Sequence, residues 1–525
     1  MALQGSLKEP LFLGIDLGTS ACKVSVINKK GNIVAYASEK YPLYILEGGG
    51  AEQNPKEWWN AIVKAISRIN ESIDVNSIKA IGITGQWSGT VAIDINGEPL
   101  MNAIIWLDSR GEKYIKNLIK GIFNFSGYDI FKLINWIRKT GGAPSKSGKD
   151  SLAHILFIKN ERPEIYQQTF KFLEPISYIN FKLTNRLVSS YDIMITHWIT
   201  DNRNIRNIKY DEKLIKIAGI NKEKLPELSK PYEIIGKLTR ESASELGLLE
   251  NIPVIAGGGD IQTSLIGTGC IEDYETLIYI GTSSWVTAHV SFKKTDVFNN
   301  IASLPSALPN KYFIAAEQEC AGKCLEFISE CFNIRLEEMD NYAKNSTIGS
   351  NGIIFTPWLY GERAPVEDRY LRGIIFNLSL NSNKSDIVHS VFEGISLNIR
   401  WIFDPVQKLM KKKIEKIKLA GGCARSDLLP AILANVLNVE VNVVEDPVFV
   451  NSKGIAMLAA YSVGEIELKD IPKLIRISKQ YKPTDVSKKY DNIFSYYLKI
   501  YKNNKKIFKE INLRYLYKNK NTIIT

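Results

Sequence analysis

At 525 residues the chain exceeds what one hydrophobic core can serve, so two domains are expected. Hydrophobic residues at 45% and charged residues at 23% describe an ordinary globular protein, with no apolar run long enough to span a membrane. The net charge of +11 comes from scattered lysines that thicken only between Lys488 and Lys520, without a nucleic-acid motif, so non-specific attraction to polyanions is all it supports.

In chain order, residues 11–27 come first. Two β-prone runs flank Gly18-Thr19-Ser20, a hairpin pattern whose turn offers uncovered backbone N–H groups and two hydroxyls. Such a turn suits phosphate oxygens. Asp16 directly before it would repel phosphate unless Mg²⁺ lay between them; an ordinary hairpin with a capping Asp is the plainer alternative. Residues 33–38 read as a third strand and Gly48-Gly49-Gly50 as a loop. A helix follows Pro55, with Trp58, Ala61, Ile62, Ala65, Ile66 and Ile69 on one face. Residues 78–84 form a buried strand running into Gly85-Gln86-Trp87-Ser88-Gly89.

Residues 91–94 and 103–107 read as a strand pair ending in Trp106-Leu107-Asp108-Ser109-Arg110. Residues 141–149 look superficially like a nucleoside-triphosphate P-loop. Their glycine spacing is wrong, Asp150 replaces the required hydroxyl residue, and no strand precedes them. Residues 151–162 are helical and stop at Pro163-Glu164-Ile165-Tyr166. The domain boundary is placed near Asn251, dividing the chain into 1–250 and 251–525.

The second half opens with a strand at 254–256 and Gly257-Gly258-Gly259-Asp260. Residues 276–290 then repeat the first motif: a β-prone run enters Gly281-Thr282-Ser283 and another leaves it, half a chain from its counterpart. A helix lies around 387–400. A strand at 417–420 enters Gly421-Gly422-Cys423-Ala424-Arg425-Ser426, and a small-residue helix covers 453–463. The helical stretch from Asn492 either closes the structure or trails as a basic tail.

With these segments in this order, the chain resembles the FGGY family of carbohydrate kinases. The resemblance implies an α/β fold: two ribonuclease-H-like domains of the actin/hexokinase/Hsp70 ATPase type around a central cleft. It implies ATP and Mg²⁺ as cofactors and a small-molecule sugar as substrate. Gly18, Thr19, Ser20, Gly281, Thr282 and Ser283 correspond to the two phosphate loops, and Asp16 to the Mg²⁺-associated carboxylate. Gly421, Gly422, Ala424 and Ser426 correspond to the adenosine segment; alone, Gly-Gly-x-Ala is most often a plain strand-to-helix turn. Asp260 corresponds to the general base that also touches the sugar, although Asp after a glycine turn fits a helix cap too. In the xylulose-kinase branch the loop matching 85–89 reads Gly-Gln-Met-His-Gly. Here Gln86 is kept, while Trp87 offers a platform for a sugar face and Ser88 a hydroxyl; a core tryptophan is the alternative. Asp108 and Arg110 match that branch's Trp-x-Asp-x-Arg and read hydroxyls, or else form a surface salt bridge. Residues 192–201 fall in a region of sugar contacts.

The resemblance therefore implies ATP-dependent phosphorylation of a sugar hydroxyl, D-xylulose first, with another ketose or polyol (ribulose, fuculose, gluconate or glycerol) second. Glycerol is disfavoured because no Arg-Glu pair follows Gln86. An actin- or Hsp70-like ATPase and a non-catalytic sugar sensor are the readings from other classes. Residues 1–10 lack the apolar core of a signal peptide, so a cytoplasmic protein is expected. No nucleic acid or membrane partner is expected, and a homodimer stays open. The six cysteines suggest reduced thiols, and the four histidines structural roles.

Overall fold

The computed structural model describes residues 9–518, and side chains through residue 513. The expected absence of a signal peptide rests mostly on residues outside that range, as does Lys520. Among the described residues, no helix is long and apolar enough to cross a membrane.

Each half is built around the same unit. In the first, Leu11–Leu17 pairs antiparallel with Ala21–Asn28 and parallel with Ile78–Gly85. Every residue of Leu11–Leu17 is buried, as befits a central strand covered on both faces. Ile33–Lys40 extends one edge. Helix Pro55–Asn70 covers one face with the six residues whose spacing announced it. Asn54 caps it by accepting the Lys56 N–H at 2.9 Å, and Pro55 occupies the first turn, where a missing N–H costs nothing. In the second half, Thr276–Ile280 pairs antiparallel with Ser284–Val290 and parallel with Lys416–Ala420. Two hairpins, each with a parallel third strand, make the doubled ribonuclease-H-like architecture.

The boundary expected near Asn251 does not follow the sheets. Pro253–Ile255 and Gly258–Gly259 both pair with Ile78–Gly85 and belong to the first sheet. Helix Asp260–Gly267 follows them and packs on helix Val450–Ser462. That second helix also lies against the first sheet: the Ser25 hydroxyl bonds Ser452 Oγ at 2.9 Å, deep in the core. The approach is so close that only glycine fits. A Cβ on Gly14 would lie 1.9 Å from the Ser452 carbonyl oxygen, and one on Gly454 would lie 2.0 Å from that of Thr263.

Helix Ser151–Glu161 ends before Pro163 as expected, and Pro163 then opens a further helix, Pro163–Gln168. The final helix, Ser487–Lys518, begins before Asn492 and closes the second lobe. Its Tyr490, Phe494, Tyr497 and Ile500 are buried, and the Tyr497 hydroxyl donates to Asn398 Oδ1 at 2.7 Å. All six cysteines are free thiols. The four histidines are buried; burial pushes His154 and His289 down to about 4 and His197 to about 3, so these three stay neutral.

Candidate active site

The two Gly-Thr-Ser turns stand at equivalent strand ends of the two sheets. In the first, Gly18 N–H bonds the Ala21 carbonyl at 3.1 Å, and the Tyr41 hydroxyl donates to the Gly18 carbonyl. The Thr19 hydroxyl accepts from Trp106 Nε1 at 2.9 Å, which leaves its own hydrogen to donate. In the second, Gly281 N–H bonds the Ser283 carbonyl at 2.9 Å. The Gly281 and Thr282 carbonyls accept from Gly322 N and Ala321 N at 2.9 and 3.0 Å, bracing the turn on the start of helix Gly322–Phe332. Gly421 lies behind it in a left-handed conformation (φ +96°), where a Cβ would sit 2.4 Å from the Ile280 carbonyl oxygen. Beside Gly422 the space is open. Ala424 is buried in the short turn Gly422–Arg425. The Ser426 hydroxyl is already engaged: it donates to Asp340 at 2.8 Å and accepts from Leu429 N at 2.9 Å, capping the next helix.

Beneath the first turn, Asp16 is buried with Oδ2 at 3.7 Å from Lys23 Nζ and no hydrogen-bond partner on Oδ1. Burial raises its pKa, opposed by Lys23 and Asn451. A buried carboxylate oxygen without a partner is costly unless something cationic or hydrogen-bonding meets it, so Asp16 fits a Mg²⁺ role. Among the described residues no group of three or more His, Cys, Asp or Glu could hold a metal. The other ligands of such an ion would therefore be phosphate and water, as is usual for Mg²⁺.

Asp260 opens helix Asp260–Gly267 and lines the cavity between the lobes. Its Oδ1 accepts the Ile261 N–H at 2.9 Å. Its pKa is raised well above the ordinary value, first by burial, then by the charges of Asp16 and Glu317. A carboxyl kept basic in this way is suited to taking a proton from a hydroxyl.

The cavity holds about 570 Å³ and is lined from the first lobe by Thr19, Gln86, Trp87, Ser88 and Asp260, which follows the first sheet's Gly258–Gly259, and from the second by Ser283 and Glu317. Gln86 is 3% exposed; its Nε2 donates to Gln53 Oε1 at 2.8 Å, while its own Oε1 has no partner. Gln53 in turn donates to the Thr19 carbonyl at 2.7 Å, tying this side of the cavity to the first Gly-Thr-Ser turn. Trp87 lines the cavity with its ring centroid 6.2 Å from that of Phe313; Ser88 sits at φ +56°.

Asp108 and Arg110 lie outside this lining. The Asp108 carboxylate accepts Ala51 N at 2.9 Å and Arg110 N and Nε, each at 2.8 Å. Arg110 continues to Glu52 at 2.6 Å and stacks 4.5 Å over Phe157. The pair is an internal ion-pair network. Missing from the sequence reading is a charged cluster assembled across the cleft. Lys149 of the first lobe meets Glu319 of the second at 2.9 Å, and Lys146 meets Glu367 at 3.3 Å. Arg363 binds Glu317 at 2.5 Å and Glu319 at 3.4 Å, 5.1 Å over the Trp106 ring. The only signal was the basic stretch 141–149, set aside as a P-loop and here part of the cavity wall. Glu317 and Glu319 sit in no recognisable motif.

Two paired lobes, two phosphate-type turns and a basic carboxyl facing a polar cavity define a phosphotransferase acting on a small hydroxylated molecule. The chain belongs to the FGGY family of carbohydrate kinases: the family's N-terminal domain matches residues 11–267 and its C-terminal domain residues 276–463. It is thus an ATP-dependent sugar kinase. A xylulose kinase of Staphylococcus epidermidis is 30% identical, with 95% of this chain and 97% of that one aligned. A gluconokinase of Bacillus subtilis is 27% identical, over 93% and 95%. Among solved structures, a gluconate kinase of Lactobacillus acidophilus superposes with a TM-score of 0.85 at 26% identity, covering 96% of this chain and all of the other.

Proposed function

We propose that the protein transfers the γ-phosphoryl group of Mg-ATP to the terminal primary hydroxyl of D-xylulose, giving D-xylulose 5-phosphate, with Asp260 as general base. The carrying observation is the pairing of charge in the cavity. Its four basic residues, Lys146, Lys149, Arg363 and Arg369, each have a carboxylate partner, and eight carboxyl residues line the same wall. A gluconate carboxylate would meet no free cation there, whereas a neutral ketose needs only hydroxyl partners, which Gln86 Oε1, Ser88 and Asp260 supply.

In this reading Gln86, Trp87 and Ser88 orient the sugar from the first lobe. Asp260 removes the hydroxyl proton as the oxygen attacks. The N–H groups and hydroxyls of the two turns hold the phosphates in line. Asp16 would hold the Mg²⁺, through water, and the bound ion would neutralise phosphate charge. Closure of the lobes excludes water, so ATP hydrolysis without sugar is slow. A coupled assay with D-xylulose, D-ribulose, gluconate, glycerol and other polyols, with product analysis, tests the assignment. D-xylulose is expected to give the highest kcat/KM; a clear preference for gluconate would overturn the substrate.

A further inference from the structure

Three glycines precede Asp260. Glycine has the widest backbone freedom of any residue, so a triple-glycine turn does not by itself hold the next side chain in place. Something must pin it to the precision that proton transfer requires.

The pairing of Gly258–Gly259 with Ile78–Gly85 holds the backbone on one side, and two buried side chains of the first lobe hold it on the other. At the near end, Asn180 Nδ2 donates to the Ala256 carbonyl at 2.7 Å. At the far end, Asp192, on the short helix Tyr191–Met194, accepts the Gly259 N–H on Oδ2 at 3.1 Å, one residue before Asp260. Asp192 is fully buried. Its approach depends on the glycines: a Cβ on Gly258 would lie 2.9 Å from Asp192 Oδ2. The neighbouring Tyr191 hydroxyl bonds the Ser306 carbonyl at 3.1 Å, so this short helix contacts both lobes. From this geometry we infer that Asp192 is a positioning residue for catalysis: by fixing Gly259 it sets the direction of the Asp260 carboxylate. The inference rests on Asp260 being the base. It assigns Asp192 to holding the base, not the sugar.

Burial pushes the Asp192 carboxyl up to about 7. The bond to Gly259 needs only an acceptor oxygen, which a neutral carboxyl or an amide also provides. Asn should therefore replace Asp192, and Leu, similar in shape without an acceptor, should not.

The test is a double-mutant cycle measuring kcat, both KM values and thermal unfolding on D192N, D192L, D260N and D192L/D260N. Expected is a 10- to 100-fold loss of kcat in D192L, with both KM values within about twofold and D192N near wild type. In the D260N background D192L should cost nothing more, because there is no longer a base to aim. A D192L effect of equal size in both backgrounds, D192N as damaging as D192L, or D192L at wild-type turnover would each overturn the proposal. If D192L does not fold, Asp192→Ala withdraws the acceptor and takes its place in the cycle. Wild-type turnover in D260N would remove the base assignment itself, and the proposal with it.

Discussion

Arg363→Met probes the charged wall of the cavity. Glu319 is 7% exposed, and burial alone would raise its pKa. Arg363 first and Lys149 second reverse that, drawing it from 4.5 down to about 2. A displacement of that size is worth about 3 kcal/mol of folded-state stability at neutral pH, and little of it is lost to solvent screening. Losing Arg363 removes the larger share and also strips Glu317 of its partner. A loss of about 2–3 kcal/mol follows, or roughly 4–12 °C in melting temperature for a lobe of this size. The pH dependence has a definite sign. A depressed carboxyl pKa stabilises above its ordinary value and ceases to as pH falls through the folded one. The gap between wild type and R363M should therefore be full at pH 7 and shrink between pH 4.5 and about 2. R363M/E319Q should recover only the share that comes from unpaired Glu319, because Glu317 still lacks its partner. Thermal unfolding of the three proteins between pH 3 and 7 measures this; an unchanged melting point at pH 7, or a gap independent of pH, refutes the reasoning.

Three further outcomes are expected. Asp260→Asn should lower kcat by roughly 10² to 10⁴-fold with ATP binding kept by calorimetry; near-normal turnover in a folded protein removes Asp260 as base. Asp16→Ala should weaken the response of turnover to Mg²⁺ while leaving sugar affinity little changed, and an unaltered Mg²⁺ titration counts against the metal role. Gln86→Leu removes the unpartnered acceptor in the cavity and should reduce kcat/KM for the true sugar about 5- to 150-fold, on the 1–3 kcal/mol scale of an unpaired polar group; equal losses across a panel of deoxysugars would show that Gln86 Oε1 contacts no hydroxyl.

What the sequence disclosed was what is encoded locally. The hairpins around Gly18 and Gly281 and the helix after Pro55 depend on patterns a few residues wide, and they stand where those patterns put them. Strand order is a different kind of information. Pro253–Ile255 reads as a buried strand wherever it goes, and nothing within it says that it joins Ile78–Gly85 of the first sheet. The same holds for the Lys149, Glu317, Glu319 and Arg363 cluster, whose members are brought together only by tertiary structure. Residue type also misleads when partners are unseen. Asp108 and Arg110 carry the right groups for reading hydroxyls, yet Ala51 and Glu52 already claim them. Ser426 is likewise held by Asp340 and its own helix.

Helix Val450–Ser462 has a consequence for how the protein is made. The first sheet is threaded within the first half of the chain, but the cover that fits against Gly14 and Ser25 is supplied by Ser452, 427 residues after Ser25. During synthesis the ribosome delivers Leu11–Leu17 long before that cover exists. One face of the first lobe must then stay wet, or be shielded by something else, through most of translation. Joining such distant segments also carries a large loop-closure entropy, which slows the step that completes the lobe. The contact that seals the first lobe is among the last the emerging chain can form.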